Sequence, residues 1–294
     1  MLIFPPNQVT AVSLGMMQDG GLPHIGCRCA HCRAAAARPA SAASLAIVDT
    51  RPAAPTVALI DATPDIKYQL DLLAAVLGPH PAQPARLRQP DALFLTHAHL
   101  GHIGGLPQLG PEAMAVADLP VYASAALAAL LQGTALWAPL LAGLRLRPIA
   151  PGQPVALAPD VRVTATAVPH RDETGSGTFA YHVQGPARTL LYVPDIDNWD
   201  AWPAAREEVG KHKISLLDAT FYSRDELPGR DLSEISHPFI TDTLKKFGDL
   251  TKDRRIILTH FNHSNPVCDP GSVQARTVLE AGFELAQEMT AIRL

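Results

Sequence analysis

One stretch, Asp91 to Leu106, constrains this chain more than any other. It opens with a short apolar run, Ala92 to Leu95, bounded by Pro90 and then by histidines, which predicts a buried strand. His97, His99 and His102 follow closely, with Gly101, Gly104 and Gly105 allowing a tight bend around them. Alternate residues leaving a strand point the same way, so His97 and His99 can converge on one ion. His102 can approach from another side after the bend. Imidazole suits zinc, iron, copper and nickel, so the residues alone admit several metals. Adjacent histidines can also be ordinary core or surface residues, but their density at the end of an apolar strand favours a metal site.

The rest of the composition narrows the function by exclusion. At 294 residues, 47% hydrophobic and 18% charged, the chain has an ordinary globular composition. A net charge of -4 and the lack of any Lys/Arg-rich run argue against a nucleic-acid partner. No apolar stretch reaches the roughly 18 residues that a membrane span needs, so a membrane is not expected either. Met1 to Gln8 has neither a charged leading segment nor a long apolar core, and no signal peptide is expected; a soluble, cytoplasmic protein is the default.

Cys27, Cys29 and Cys32 are crowded together while Cys268 stands alone. Neighbours so close cannot all pair with one another, and clustered thiolates fit a metal site better than a disulfide framework. Three reduced, metal-free thiols are the plainer alternative.

Taken in order, strands are predicted at Thr10 to Gly15, Ser44 to Val48, Val57 to Ile60, Ala92 to Leu95, Val121 to Ser124 and Leu144 to Ile149. The pattern then restarts with Val161 to Val168, Thr178 to Val183, Thr189 to Val193, Ile214 to Leu217 and Arg255 to His260, and ends with a strand near Thr290. Helical spacing marks Asp65 to Leu77, Ala125 to Leu131, Pro238 to Phe247 and Ser272 to Glu280, with loops predicted for Ala34 to Ala43 and Gly78 to Pro90. Nothing reads as a linker. The expectation is one domain over 1–294, made of two pseudo-halves, about 10–150 and 151–294.

Several of these strands end in a potential ligand: His97 and His99, His170, Asp195 and His260. Loops at one edge of a rigid scaffold are how distant sequence assembles one site.

Thr-His-Ala-His-Leu-Gly-His (96–102) resembles the metallo-β-lactamase superfamily signature His-x-His-x-Asp-His. The resemblance covers nearly the whole chain and implies an α/β fold, a four-layer αββα sandwich. It implies His97, His99 and His170 around a first metal, and His102, Asp195 and His260 around a second, with Asp195 able to bridge. Within the superfamily the chain is similar to the pyrroloquinoline quinone biosynthesis protein B branch. That branch shares the glycine form of the motif and the segments Ala62 to Asp65, Tyr192 to Ile196 and Asp218 to Phe221; the turn Gln18 to His24 departs from it. Where the superfamily carries an aspartate, Gly101 has no side chain, so the second site is expected to be weakened, empty or filled by a different metal. His260 to His263 resembles the arrangement in a cyclic-phosphate diesterase branch, which implies a structural zinc on Cys27, Cys29, Cys32 and His263; His31 competes as fourth ligand.

The function expected from this resemblance is a metal-dependent hydrolase acting on an ester, lactone or phosphodiester-type substrate, with Asp195 and His102 as catalytic residues. The alternatives are an iron-dependent oxygenase working on a tyrosine-like or peptide substrate, and a non-catalytic metal carrier; the partner expected is a small-molecule or peptide substrate. The cofactors expected are a structural zinc and a zinc or iron in the active site. His24 and His237 are candidate pocket residues, Asp61 a hydrogen-bonding support for the histidine loop, and Trp199 and Phe221 candidate pocket walls. Oligomeric state is left open.

Overall fold

The computed structural model describes residues 4–37, 39–231 and 235–294. Two seven-stranded mixed sheets pack face to face. The first has the order 291–293, 9–15, 44–49, 56–60, 92–94, 119–123, 144–148; the second runs 284–285, 255–259, 214–218, 189–193, 178–184, 161–168, 154–158. The final strand thus returns to the first sheet, antiparallel to Val9–Gly15.

Period-two alternation builds the layers. In the first sheet Val9, Ala11, Leu45, Ile47, Ala58, Ile60 and Phe94 face inward and join Val163, Ala165, Tyr181 and Val183 of the second sheet in one core. The alternate residues Val12, Leu14, Ala46, Val48, Leu59 and Leu93 face outward, under Ile66, Leu70, Leu73 and Leu127 from flanking helices. Helices Ala205–Lys211, Ile240–Phe247 and Val273–Glu280 contribute Val209, Ile240, Phe247 and Val278 to the core beside the second sheet. Helix, sheet, sheet, helix is the order of layers, the four-layer sandwich. Strands buried on both faces read as continuous apolar runs, which is why they stood out in the sequence.

Differences from the expected elements are local. Gly78 to Pro90 holds a small hairpin, Pro79–His80 with Gln83–Leu87, rather than a plain loop. Pro154–Ala158 is an edge strand, where a leading proline is tolerated, and Ala205–Lys211 is a helix with only two buried residues. Neither carried enough apolar signal to be anticipated. Asp65 to Leu77 divides into two short helices, Ile66–Leu72 and Ala74–Leu77.

Two features place the site. Strands 56–60, 92–94 and 119–123 are parallel neighbours, as are 189–193, 214–218 and 255–259, so within each group the carboxyl ends share one edge. The sheets are also tied together at the histidine loop: the Tyr181 hydroxyl donates to the Leu95 carbonyl at 2.6 Å, and Phe179 N–H donates to Thr96 O at 2.9 Å. No helix among the described residues is long and apolar enough to cross a membrane.

Candidate metal centre

The chain leaves strand Ala92–Phe94 through Leu95, Thr96 and His97, then turns into a one-turn helix, Leu100–Ile103. The Asp61 carboxylate, at the end of strand Thr56–Ile60, accepts from Thr96 N at 2.8 Å, from Thr96 Oγ1 at 2.9 Å and from His102 Nδ1 at 2.7 Å. Asp61 is fully buried and adopts φ +70, a left-handed conformation uncommon for a residue with a side chain. His260 sits at φ +64 on the other sheet. Strained backbone held in place on both sides of a cleft is a mark of a functional site.

Two groups of ligand-type side chains meet in the cleft. His97, His99 and His170 offer ring nitrogens within 4.8 Å of one another; His102 and His260 ring nitrogens and Asp195 and Asp19 carboxylate oxygens form a second such group. Asp195, 1% exposed, lies between the groups. Its Oδ2 is 3.6 Å from His97 Nε2, 2.8 Å from His102 Nε2 and 3.3 Å from His260 Nε2; its Oδ1 is 3.5 Å from His170 Nε2. Thr96 and Thr220 hydroxyls stand 3.0 Å from Nδ1 of His97 and of His260, leaving each Nε2 aimed at the cleft.

The fit of these groups to metal can be tested on their unsatisfied atoms. Among the described residues, His97 Nε2, His260 Nε2 and both Asp195 oxygens are buried without an aligned hydrogen-bond partner. Buried polar atoms left so are costly, by about 1–3 kcal/mol each. Nitrogen and oxygen ligands about 2.1 Å from a tetrahedral ion lie about 3.4 Å apart, which the observed separations approach. The donor set fits a divalent transition ion.

Electrostatics follow from the same crowding. Burial drives His97 well below the usual imidazole range, and the neighbouring His102 charge adds to it. Burial opposes the charge on His102, but Asp61 beside it, with Asp19 and Asp195, raises it well above that range. Burial likewise opposes ionisation of Asp195, and the surrounding histidines overcome it.

The histidines and aspartate anticipated for the centre therefore come together, His237 beside them, and two further residues, Asp218 and Asp19, join them. Asp218 accepts from His237 Nδ1 at 2.9 Å, and the same nitrogen is 3.3 Å from Asp195 Oδ1. Asp19 is 3.6 Å from His102 Nε2 and 3.7 Å from His260 Nε2. Burial raises the Asp19 carboxyl, but the imidazoles of His102 and His260 facing it outweigh this and hold the group well below the carboxylate range. Asp218 ended a predicted strand and could have been suspected. Nothing in the Asp-Gly-Gly turn marked Asp19. The expectation of a weakened second site rested on residue 101 alone, and the structure brings a carboxylate there from elsewhere in the chain.

The centre opens into a cavity of about 460 Å³ lined by His99, His170, Asp195, Phe221, His237 and Asp19, among others. A larger, apolar one of about 570 Å³ lies between Met17, Leu216, Phe261 and Leu285, apart from the histidines. Phe221 and His237 line the centre's cavity as expected, but Trp199 and His24 do not. Trp199 is buried, donating Nε1–H to Thr243 Oγ1 at 2.8 Å and packing edge-on against Phe247. The His24 ring stands 4.6 Å from that of His263, at the cysteine cluster.

That cluster is a separate place. Cys27, Cys29 and Cys32 Sγ lie 3.7, 3.7 and 3.6 Å from His263 Nδ1. Three sulfurs around one nitrogen at this spacing match a closed tetrahedral zinc set. The competing candidate, His31, instead places Nδ1 3.0 Å from the His263 carbonyl, so it orients the loop that carries His263. Cys268 is outside the group, its thiol pushed up to about 12 by burial and by the Glu226 carboxylate nearby.

Comparison with known proteins agrees with this architecture. The chain is 27% identical to coenzyme PQQ synthesis protein B of Pseudomonas aeruginosa (strain LESB58), over 96% of this chain and 98% of the relative. The corresponding protein of Ruegeria pomeroyi is 24% identical over 94% and 97%. Among solved structures, Zn2+-bound PqqB from Methylobacterium extorquens superposes with a TM-score of 0.81 at 21% identity, covering 97% of this chain and all, 100%, of that one. A diphosphatase from the PhnP family superposes with a TM-score of 0.72 at 20% identity, covering 98% and 97%. A family model described as the beta-lactamase superfamily domain matches residues 56–261. The protein belongs to the beta-lactamase superfamily and has its metallo-β-lactamase fold.

Proposed function

We propose that this protein is a metal-dependent hydrolase, with His97, His99 and His170 holding one ion and Asp195 positioned to bridge towards His102 and His260. The observation that carries the reading is Asp195: a buried carboxylate with ring nitrogens of His97, His102, His170 and His260 all within 3.6 Å of its oxygens, lining a cavity open to substrate. A divalent ion at this centre would supply Lewis acidity and a water whose pKa is drawn down towards neutrality. The chain's own groups do the rest. Asp195 orients the attacking water, and His102, backed by Asp61, fixes the carboxylate in place. His237 is the proton donor to the leaving group. Burial opposes its charge, but Asp218 and Asp195 raise it to about 9, and a cation nearby would bring it back towards neutral.

A phosphodiester, lactone or ester is the substrate class. The likeness to the diphosphatase supports a hydrolase only at the level of fold. The reading is tested by adding zinc or ferrous iron to metal-free protein and assaying a panel of aryl phosphodiesters, aryl esters and lactones. Turnover with zinc that is abolished in His97→Ala supports it. A second reading is an iron-dependent oxygenase acting on a tyrosine-like or peptide substrate, which the motif resemblance to the pyrroloquinoline quinone biosynthesis branch implies; the relatives share that coenzyme in their name. Oxygen uptake with ferrous iron, and no hydrolysis with zinc, would decide for that reading. Retention of the cysteine-bound ion alone, with neither reaction, would point to a carrier.

A further inference from the structure

A Cβ built on Gly101 would overlap Oδ1, Cγ and Cβ of Asp19, all within 2.5 Å. The space that a side chain at position 101 would fill is thus already occupied, by a carboxylate from another part of the chain. We propose that Asp19 is a metal ligand that replaces the carboxylate missing at Gly101, completing a second ion position with His102, Asp195 and His260. The inference rests on the metal-centre reading above and goes beyond it in restoring a full second position.

Several independent features bear on it. Ligand atoms of Asp19, His102, Asp195 and His260 all lie within 4.8 Å of one another. His260 Nε2 is buried without an aligned hydrogen-bond partner, with Asp195 Oδ2 3.3 Å and Asp19 Oδ1 3.7 Å from it. The backbone is built to present the residue there. Phe261 N–H donates to Met16 O and Gln18 N–H donates to Phe261 O, both at 2.8 Å, so the chain beside Asp19 is laced to the residue following His260. Gly21 N–H donates to Gln18 O at 2.8 Å and closes the turn. Chemically the result is two imidazoles and two carboxylates, a mixed set that suits zinc, manganese or ferrous iron. Sterically, positions 19 and 101 exclude each other: one carboxylate fits, and two do not.

Reciprocal exchange of the carboxylate tests this with metal content rather than turnover. Metal-free wild type, Asp19→Ala and Asp19→Ala/Gly101→Asp are titrated with zinc against a chromophoric chelator, with bound zinc counted by elemental analysis. Near-UV circular dichroism establishes that each variant is folded. The wild type is expected to hold about three ions, one of them on the cysteines. Asp19→Ala should bind one of the two centre ions at least about tenfold more weakly. The double variant should recover it, because aspartate at 101 finds the vacated space. Unchanged zinc binding in Asp19→Ala overturns the proposal, as does a folded double variant without recovery. A wild type holding only the His97, His99 and His170 ion besides the cysteine one also overturns it, while leaving the hydrolase reading intact.

Discussion

The cysteine cluster and the histidine–aspartate centre share two pieces of chain and are built to opposite ends. The segment from Met16 to Cys32 supplies Asp19 to one and three thiols to the other; the segment from His260 to His263 supplies one histidine to each. The cluster gathers its sulfurs around a single nitrogen and leaves no free position. The centre spreads its histidine nitrogens around the Asp195 carboxylate and faces a cavity. A closed set holds structure and an open one admits substrate. Because the segments are shared, the cluster also clamps the loop that carries Asp19 beside His260.

The largest effect that sharpens this contrast is on turnover. His97→Ala should lower kcat/KM at least about 1,000-fold, the loss of several kcal/mol of transition-state stabilisation, with little change in Tm. A comparable fall in Tm would mean that the centre is structural after all. Cys32→Ser should do the reverse, lowering Tm on the order of 10 °C, as losing a buried structural ligand costs a few kcal/mol. It should also weaken the ion bound next to Asp19, through the shared segment. Full stability in Cys32→Ser would show the cluster to be unmetallated thiols. Asp61→Asn should cost about 10–100-fold in metal affinity or activity, since Asp61 holds both Thr96 and His102. An unaffected variant would show that packing alone orients the histidine loop.

The smallest effect comes from a group that only looks like the others. His182, Glu208 and His212 also lie close together, yet His182 Nδ1 and His212 Nε2 are 2.9 Å apart, at hydrogen-bond distance from each other. Burial, with the neighbouring His212, lowers His182 to about 4. Folding therefore favours the neutral ring. The stability this contributes is present above about pH 6.5 and is lost as pH falls towards 4, a change on the order of 1 kcal/mol. Denaturant melts of His182→Gln should be flatter than wild type over that window, and identical slopes would refute the assignment.

Much of the fold was legible because its strands are buried on both faces. Ser44–Asp49 and Ile214–Asp218, buried throughout, announce themselves as short apolar runs. The edge strand Pro154–Ala158 and the helix Ala205–Lys211 bury too little to do so. The site divided along the same line. His97, His99, His170, Asp195 and His260 were legible because each stands just beyond a strand that was itself legible.

What the sequence determined by itself is the inventory: histidines and an aspartate at strand ends, three thiols in a cluster, and a glycine in the motif where the superfamily carries an aspartate. What the tertiary structure decided is the company they keep. An Asp-Gly-Gly turn reads the same whether it faces solvent or a ring of histidines. The backbone hydrogen bonds of residues 16–18 to Phe261, with those to Ser41 and Ala43, put Asp19 in the space above Gly101. His237 is no different, a turn histidine until Asp218 and Asp195 stand beside it. Ligand type is a property of the residue, but ligand geometry arises between segments far apart in sequence, and only folding brings those together.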